Sequence, residues 1–89
     1  MGTVTMISNA VKEEAMLGYD LTQAAISCSK FASSSDSLFI NNGDNWLTTD
    51  KLYKDTAGTL FAESGFYSDG SNWRYWDKVS ESFISAGTC

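Results

Sequence analysis

Two stretches of this chain read as copies of one unit, and that near-repeat limits its fold more than any other feature. Residues 37–52 (SLFINNGDNWLTTDKL) and 64–79 (SGFYSDGSNWRYWDKV) align without gaps at an offset of 27. They share Ser37/Ser64, Phe39/Phe66, Gly43/Gly70, Asn45/Asn72, Trp46/Trp73, Asp50/Asp77 and Lys51/Lys78. A period of this size marks a duplicated supersecondary unit. Asn42-Gly43 and Asp69-Gly70 suit a two-residue hairpin turn, which needs positive φ at both positions. Counting outward from those turns sets Phe39 opposite Trp46 and Phe66 opposite Trp73, as cross-strand aromatic pairs that fix register.

A helix is expected before the first copy. Asp20 can cap it, with Gln23 three residues on as in a capping box. Leu21, Ala24, Ala25, Cys28 and Ala32 then form an apolar stripe at helical spacing. Residues 1–17 differ from the rest: Thr3–Ile7 has strand character, and Asn9–Leu17 reads as a brief helix capped by Ser8 or Asn9, ending at Gly18. They are expected to form an N-terminal arm or docking segment, with residues 18–89 as a single helix-plus-hairpin module. Between the copies, Lys51–Asp55 has strand alternation and a turn surrounds Gly58. Ser82–Ser85 reads as a last strand. The expected class is α+β leaning to β, a small antiparallel sheet with one packed helix.

Cys28 falls on the helical stripe and Cys89 is the last residue of the sequence. A bond between them would tie the helix to the last strand and constrain the unfolded chain by about 4 kcal/mol on the chain-entropy account. The alternative is a buried Cys28 with a frayed terminal thiol. Two cysteines without histidine cannot complete a tetrahedral zinc site, so no metal is expected.

Several function classes are excluded. With no histidine, Ser-His-Asp and Cys-His arrangements are impossible, and the scattered carboxylates frame no pocket, so no catalytic residue, cofactor or enzymatic activity is expected. Six Lys and Arg against eleven Asp and Glu, a net charge of −5, argue against nucleic acid and anionic membranes as partners. The start lacks the basic and apolar regions of a secretory signal, and Met6 stands where a myristoylation motif needs Ser or Thr. Ser68–Asn72 lacks the spacing of a calcium loop.

Binding is the stronger expectation. Alternation puts Trp73 and Tyr75 on one face of the second hairpin, Arg74 and Trp76 on the other. Both faces cannot be core in a one-sheet domain, so Tyr67, Arg74 and Trp76 form a candidate exposed interaction surface. The competing reading has Trp76 covering a second small core under the N-terminal segment.

The run Gly65-Phe66-Tyr67-Ser68-Asp69-Gly70-Ser71-Asn72-Trp73-Arg74-Tyr75-Trp76-Asp77, followed by Ala86-Gly87-Thr88-Cys89, resembles a disulfide-closed module of bacteriophage virion and tail-fibre-like proteins, including those of cyanophages. Ala24-Ala25-Ile26-Ser27-Cys28 and Lys51-Leu52-Tyr53-Lys54-Asp55 match further elements of that module, so the resemblance covers about residues 20–89. It implies a virion structural protein, a head-decoration (capsid decoration) or tail-associated subunit, located in the virion. The implied partners are other capsid or tail proteins in a multicopy assembly. The alternative is a receptor- or host-surface-glycan-binding module using the second-hairpin aromatics. A bacterial cytosol would keep both thiols reduced, and oxidation would follow release of the particle.

Overall fold

The structure, a computed structural model, describes residues 12–89. The fold is α+β leaning to β, as the sequence implies. Its elements are β1 (Glu13–Asp20), α1 (Ala24–Ser34), β2 (Asp36–Ile40), β3 (Leu52–Tyr53), β4 (Gly65–Ser68), β5 (Asn72–Asp77) and β6 (Ser82–Thr88). The strands form one antiparallel sheet in the order β3-β2-β1-β4-β5-β6. β1 makes this possible by changing partner: Glu13–Leu17 pair with β2, and Gly18–Asp20 pair with β4.

That strand corrects the N-terminal reading. The boundary expected between residues 17 and 18 falls inside β1, and residues 13–17 are strand, where a brief helix was expected. Pairing with β2 overrides the weak local helical signal. The expected Thr3–Ile7 strand and the Ser8 or Asn9 cap lie outside the described residues.

Alternation along β1 serves two layers at once. Leu17 enters the main core with Leu38, Ile40, Trp46, Leu52, Ala62, Tyr67 and Trp76. Trp46 and Ala62 come from the loops between strands, so those loops cover the core face. Gly18 faces the other way, against α1. A Cβ on Gly18 would overlap the carbonyl oxygen of Ser27 and the amide nitrogen of Phe31. Ser27 meets the strand at this crossing. It is fully buried, with its hydroxyl donating to the Ala24 carbonyl at 2.6 Å.

The helix is therefore turned from the expected stripe. Leu21, Ala25 and Ala32 are exposed, and Ser27 with the partly buried Ala24, Cys28 and Phe31 occupies the inner side. The sequence stripe favoured the most apolar residues, whereas a close approach to backbone selects the smallest. Asp20 does not cap the helix as expected: the N-cap is Gln23, which makes no side-chain cap bond. The Asp20 carboxylate accepts from the amides of Thr22 and Gln23 at 3.0 and 2.8 Å, ahead of the first turn. Those bonds hold its pKa below the ordinary carboxylate range, the Thr22 amide contributing most.

The two copies of the repeat fold differently. Gly43 and Gly70 do share a positive φ, 90° and 92°. In the second copy, Asp69 Oδ1 accepts from the amides of Ser71 and Asn72 at 2.9 and 2.8 Å and the Asp69 amide donates to the Asn72 carbonyl, which moves the tip one residue on, to Gly70-Ser71. Ser68 then pairs with Trp73, and Phe66 sits opposite Tyr75, not Trp73. Phe66 and Trp73 still meet edge to face diagonally, with centroids 5.3 Å apart.

In the first copy, residues 44–49 form a helical turn and not a strand. Asn45 Oδ1 accepts from Leu47 N at 2.8 Å, Thr48 Oγ1 accepts from Asn45 N at 3.0 Å, and Thr49 N donates to Asn45 O at 3.0 Å. Side-chain bonds of this kind compete with a sheet ladder. β2 pairs instead with β3, beyond residues 41–51, and Phe39 lies opposite Tyr53, not Trp46. The turn around Gly58 forms as expected, with Asp55 Oδ1 accepting from the amides of Thr59 and Leu60.

The crossing at Gly18 generates a sharp prediction. Gly18→Ala must push the helix off the sheet, and overpacking at this position is expected to cost about 3 kcal/mol. Urea unfolding checks it: a midpoint within error of wild type would show that the helix backbone does not rest on Gly18.

Candidate functional site

Of the three residues expected to form an exposed patch, two are core. Trp76 is 0% exposed, with its indole N–H donating to the Ala62 carbonyl at 2.9 Å and its ring against Phe61 and Phe83. Tyr67 is 3% exposed, and its hydroxyl donates to the Glu63 carbonyl at 2.8 Å. Burial pushes the Tyr67 pKa well above that of a free phenol.

The physical reason lies in the opposite face. There Gly18 pairs with Ser68, small residues that admit α1 closely, and Trp73, next in the same row, lies over Gly87. The large residues Tyr67 and Trp76 must then fill the loop-covered face. The competing reading is met in that Trp76 is buried, but it lies in the main core and not in a second small one.

Arg74 is the third member, and it clamps the two copies together. Its Nη1 donates to the carbonyls of Trp46 and Thr49, each at 2.8 Å. Its guanidinium lies 3.7 Å from the Phe83 ring centroid. Desolvation lowers its pKa from the ordinary arginine value. Trp46 returns the contact by donating its indole N–H to the Asn72 carbonyl at 3.2 Å.

Three partly exposed aromatics, Phe66, Trp73 and Tyr75, gather on the helix side of the sheet. Phe66 meets both others edge to face, at 5.3 and 4.9 Å. Trp73 lies across β6 over Gly87, where a Cβ would come within 2.6 Å of indole Cζ2. Two shallow clefts adjoin it. One, of about 280 Å³, runs along Leu47, Arg74, Ala86 and Thr88. The other, of about 480 Å³, lies between α1 and the end of β6, with Ala25, Ser29 and the Cys28–Cys89 bond in its wall.

Cys28 and Cys89 are bonded to each other, with Cα atoms 5.9 Å apart. The bond fastens α1 to the residue that follows β6. Cys89 is also tied to the sheet through its amide, which donates to the Ser71 carbonyl at 2.9 Å. Among the described residues, no group of three or more His, Cys, Asp or Glu side chains is placed to hold a metal ion. No described helix is long and apolar enough to cross a membrane.

β6 itself is the feature that residue-by-residue reading passed over. Ser82–Thr88 is a terminal strand of the sheet, longer than the four residues expected, and carries neither charge nor proline. The available signal was the uncharged run SFISAGT directly before the final cysteine. No family model, curated protein or solved structure matches this chain.

The covalent link sets a measurable share of the stability. With a sequence separation of 61, its loss is expected to cost about 4 kcal/mol in the chain-entropy account. Urea unfolding with and without reductant tests this. A midpoint unmoved by complete reduction would mean that the helix and β6 are held by packing alone.

Proposed function

We propose that this chain is a structural subunit of a bacteriophage-type virion, a head-decoration or tail-associated component that joins neighbouring proteins through its uncharged sheet edge. The observation that carries this reading is β6, an edge strand with none of the charges or prolines that keep monomers apart. The resemblance of residues 20–89 to phage virion modules supports it. So does the Cys28–Cys89 bond, which suits a protein that works after release from a reducing cytosol. Fractionation of intact particles is the test: the chain is expected to co-purify with them in a fixed copy number. Recovery only with free protein, with particles devoid of it, would sink the reading.

A second reading, binding of a host-surface glycan, moves from the buried Trp76 and Tyr67 to Trp73. The favouring observation is a partly exposed indole braced by Phe66 and flanked by two clefts. Such a ring can stack on a sugar. Trp46 and Trp76 are buried, so a sugar-dependent change in tryptophan fluorescence would report Trp73 and vanish in Trp73→Phe. A panel of host-surface oligosaccharides giving no saturable change would eliminate this reading.

A further inference from the structure

We infer that β6 is a self-association edge. Two copies of the chain pair β6 with β6, antiparallel and centred on Gly87, and so join their sheets into one. The inference deepens the proposed structural role and takes the multicopy subunit as its premise.

The two edges of the sheet are treated differently. β3 is two residues long, is flanked by Lys51 and Lys54, and is closed by a bridge from Tyr53 to Phe61. The Ala62 amide donates to the Leu52 carbonyl at 3.0 Å, and the Lys54 amide to the Leu60 carbonyl at 2.9 Å. That edge has little backbone left to offer another strand. β6 has no comparable cover among the described residues.

Its outward backbone groups follow from antiparallel alternation. Because the Cys89 amide donates to the Ser71 carbonyl, Gly87 and Ser85 turn their backbone toward β5, and Ala86 and Thr88 turn theirs outward. A register shift beside Ile84 kinks the strand, leaving Ser85–Thr88 as the straight run. A two-fold axis at Gly87 then sets Ala86 opposite Thr88 of the second copy, and Thr88 opposite Ala86 of the second copy. About four ladder hydrogen bonds satisfy the outward groups.

The residue types favour a second copy over an unrelated strand. Each copy carries a net charge of −5, which opposes association, and the uncharged strip is where two copies meet without bringing side-chain carboxylates into contact. Gly87 meets Gly87 of the second copy at the axis, where the absence of a Cβ lets the backbones approach. The cross-sheet row becomes Trp73, Gly87, Gly87 of the second copy, Trp73 of the second copy. Each indole already lies over its own glycine, so the pair of rings closes over the seam from the helix side. On the other side, Leu47 (56% exposed) adds apolar surface along Ala86 and Thr88. The disulfide holds the end of β6 in place, which lowers the ordering cost of pairing.

Sedimentation velocity of the oxidised full chain, from about 1 to about 500 µM, tests the pairing; a weak reversible dimer is expected. Ala86→Pro removes an outward donor without touching the ladder to β5. Ala86→Lys places two cations beside the axis, and serves should the proline variant fail to fold. Each is expected to weaken the dimer at least about tenfold, whereas Val79→Lys, off the edge, leaves it unchanged. Hydrogen exchange at the Ala86 and Thr88 amides is expected to slow with protein concentration.

A chain that stays monomeric throughout overturns the inference. So does a dimer indifferent to both Ala86 variants. A monomer that still co-purifies with particles overturns self-pairing and leaves the structural role standing. A dimer sensitive to Ala86 but missing from particles supports the pairing and counts against that role.

Discussion

The whole arrangement depends on how closely α1 approaches β1 at Gly18. β1 carries two pairings in succession, with β2 up to Leu17 and with β4 from Gly18 onward, so among the described residues it is the strand that joins both halves of the sheet. At the changeover, adjacent residues point into different layers. Leu17 enters the loop-covered core, and Gly18 receives the helix backbone. Any side chain at Gly18 would lift α1, and with it Cys28. The disulfide to Cys89 would then pull on the end of β6. One missing Cβ near the centre of the sheet thus sets the geometry of its far edge.

Much of this was legible in residue types whose chemistry is local. The turn around Gly58 works through bonds within a few residues and forms where the sequence puts it. The Asp20 carboxylate, by contrast, binds amides just ahead of the helix without capping it, and the Gly70 turn forms one residue later than expected. Cys28 and Cys89 were legible because a small domain has few other uses for such a pair. The failures share a different cause. Whether residues 13–17 are helix or strand is decided by β2, which is distant in sequence. Whether α1 presents Ala25 or Ser27 inward is decided by Gly18. Neither is encoded in its own segment.

The repeat shows how little divergence redirects a duplicated unit. Both copies keep the positive-φ glycine and the tryptophan three residues beyond it. In the first, Asn45 and Thr48 capture the backbone into a helical turn and drop Trp46 into the core. In the second, Trp-Arg-Tyr-Trp has no such competitor and β propensity prevails. The copies remain coupled through Arg74, which reaches from β5 to the carbonyls of Trp46 and Thr49. What alignment presents as two equal hairpins is one hairpin holding down a loop derived from the other.

This coupling also explains why the exposed aromatics were assigned to the wrong side. Alternation along β5 separates Trp73 and Tyr75 from Arg74 and Trp76, and it says nothing about which pair meets the core. The small residues decide that. Gly18, Ser68, Trp73 and Gly87 align across four strands, and the small pair Gly18 and Ser68 is where the helix presses. Where α1 does not reach, Trp73 lies flat over Gly87 and stays partly open to solvent. The same glycine leaves β6 without a side chain at the middle of its bare run. A single position therefore relates the indole, the clefts beside it and the unprotected edge, and substitution there would disturb all three together.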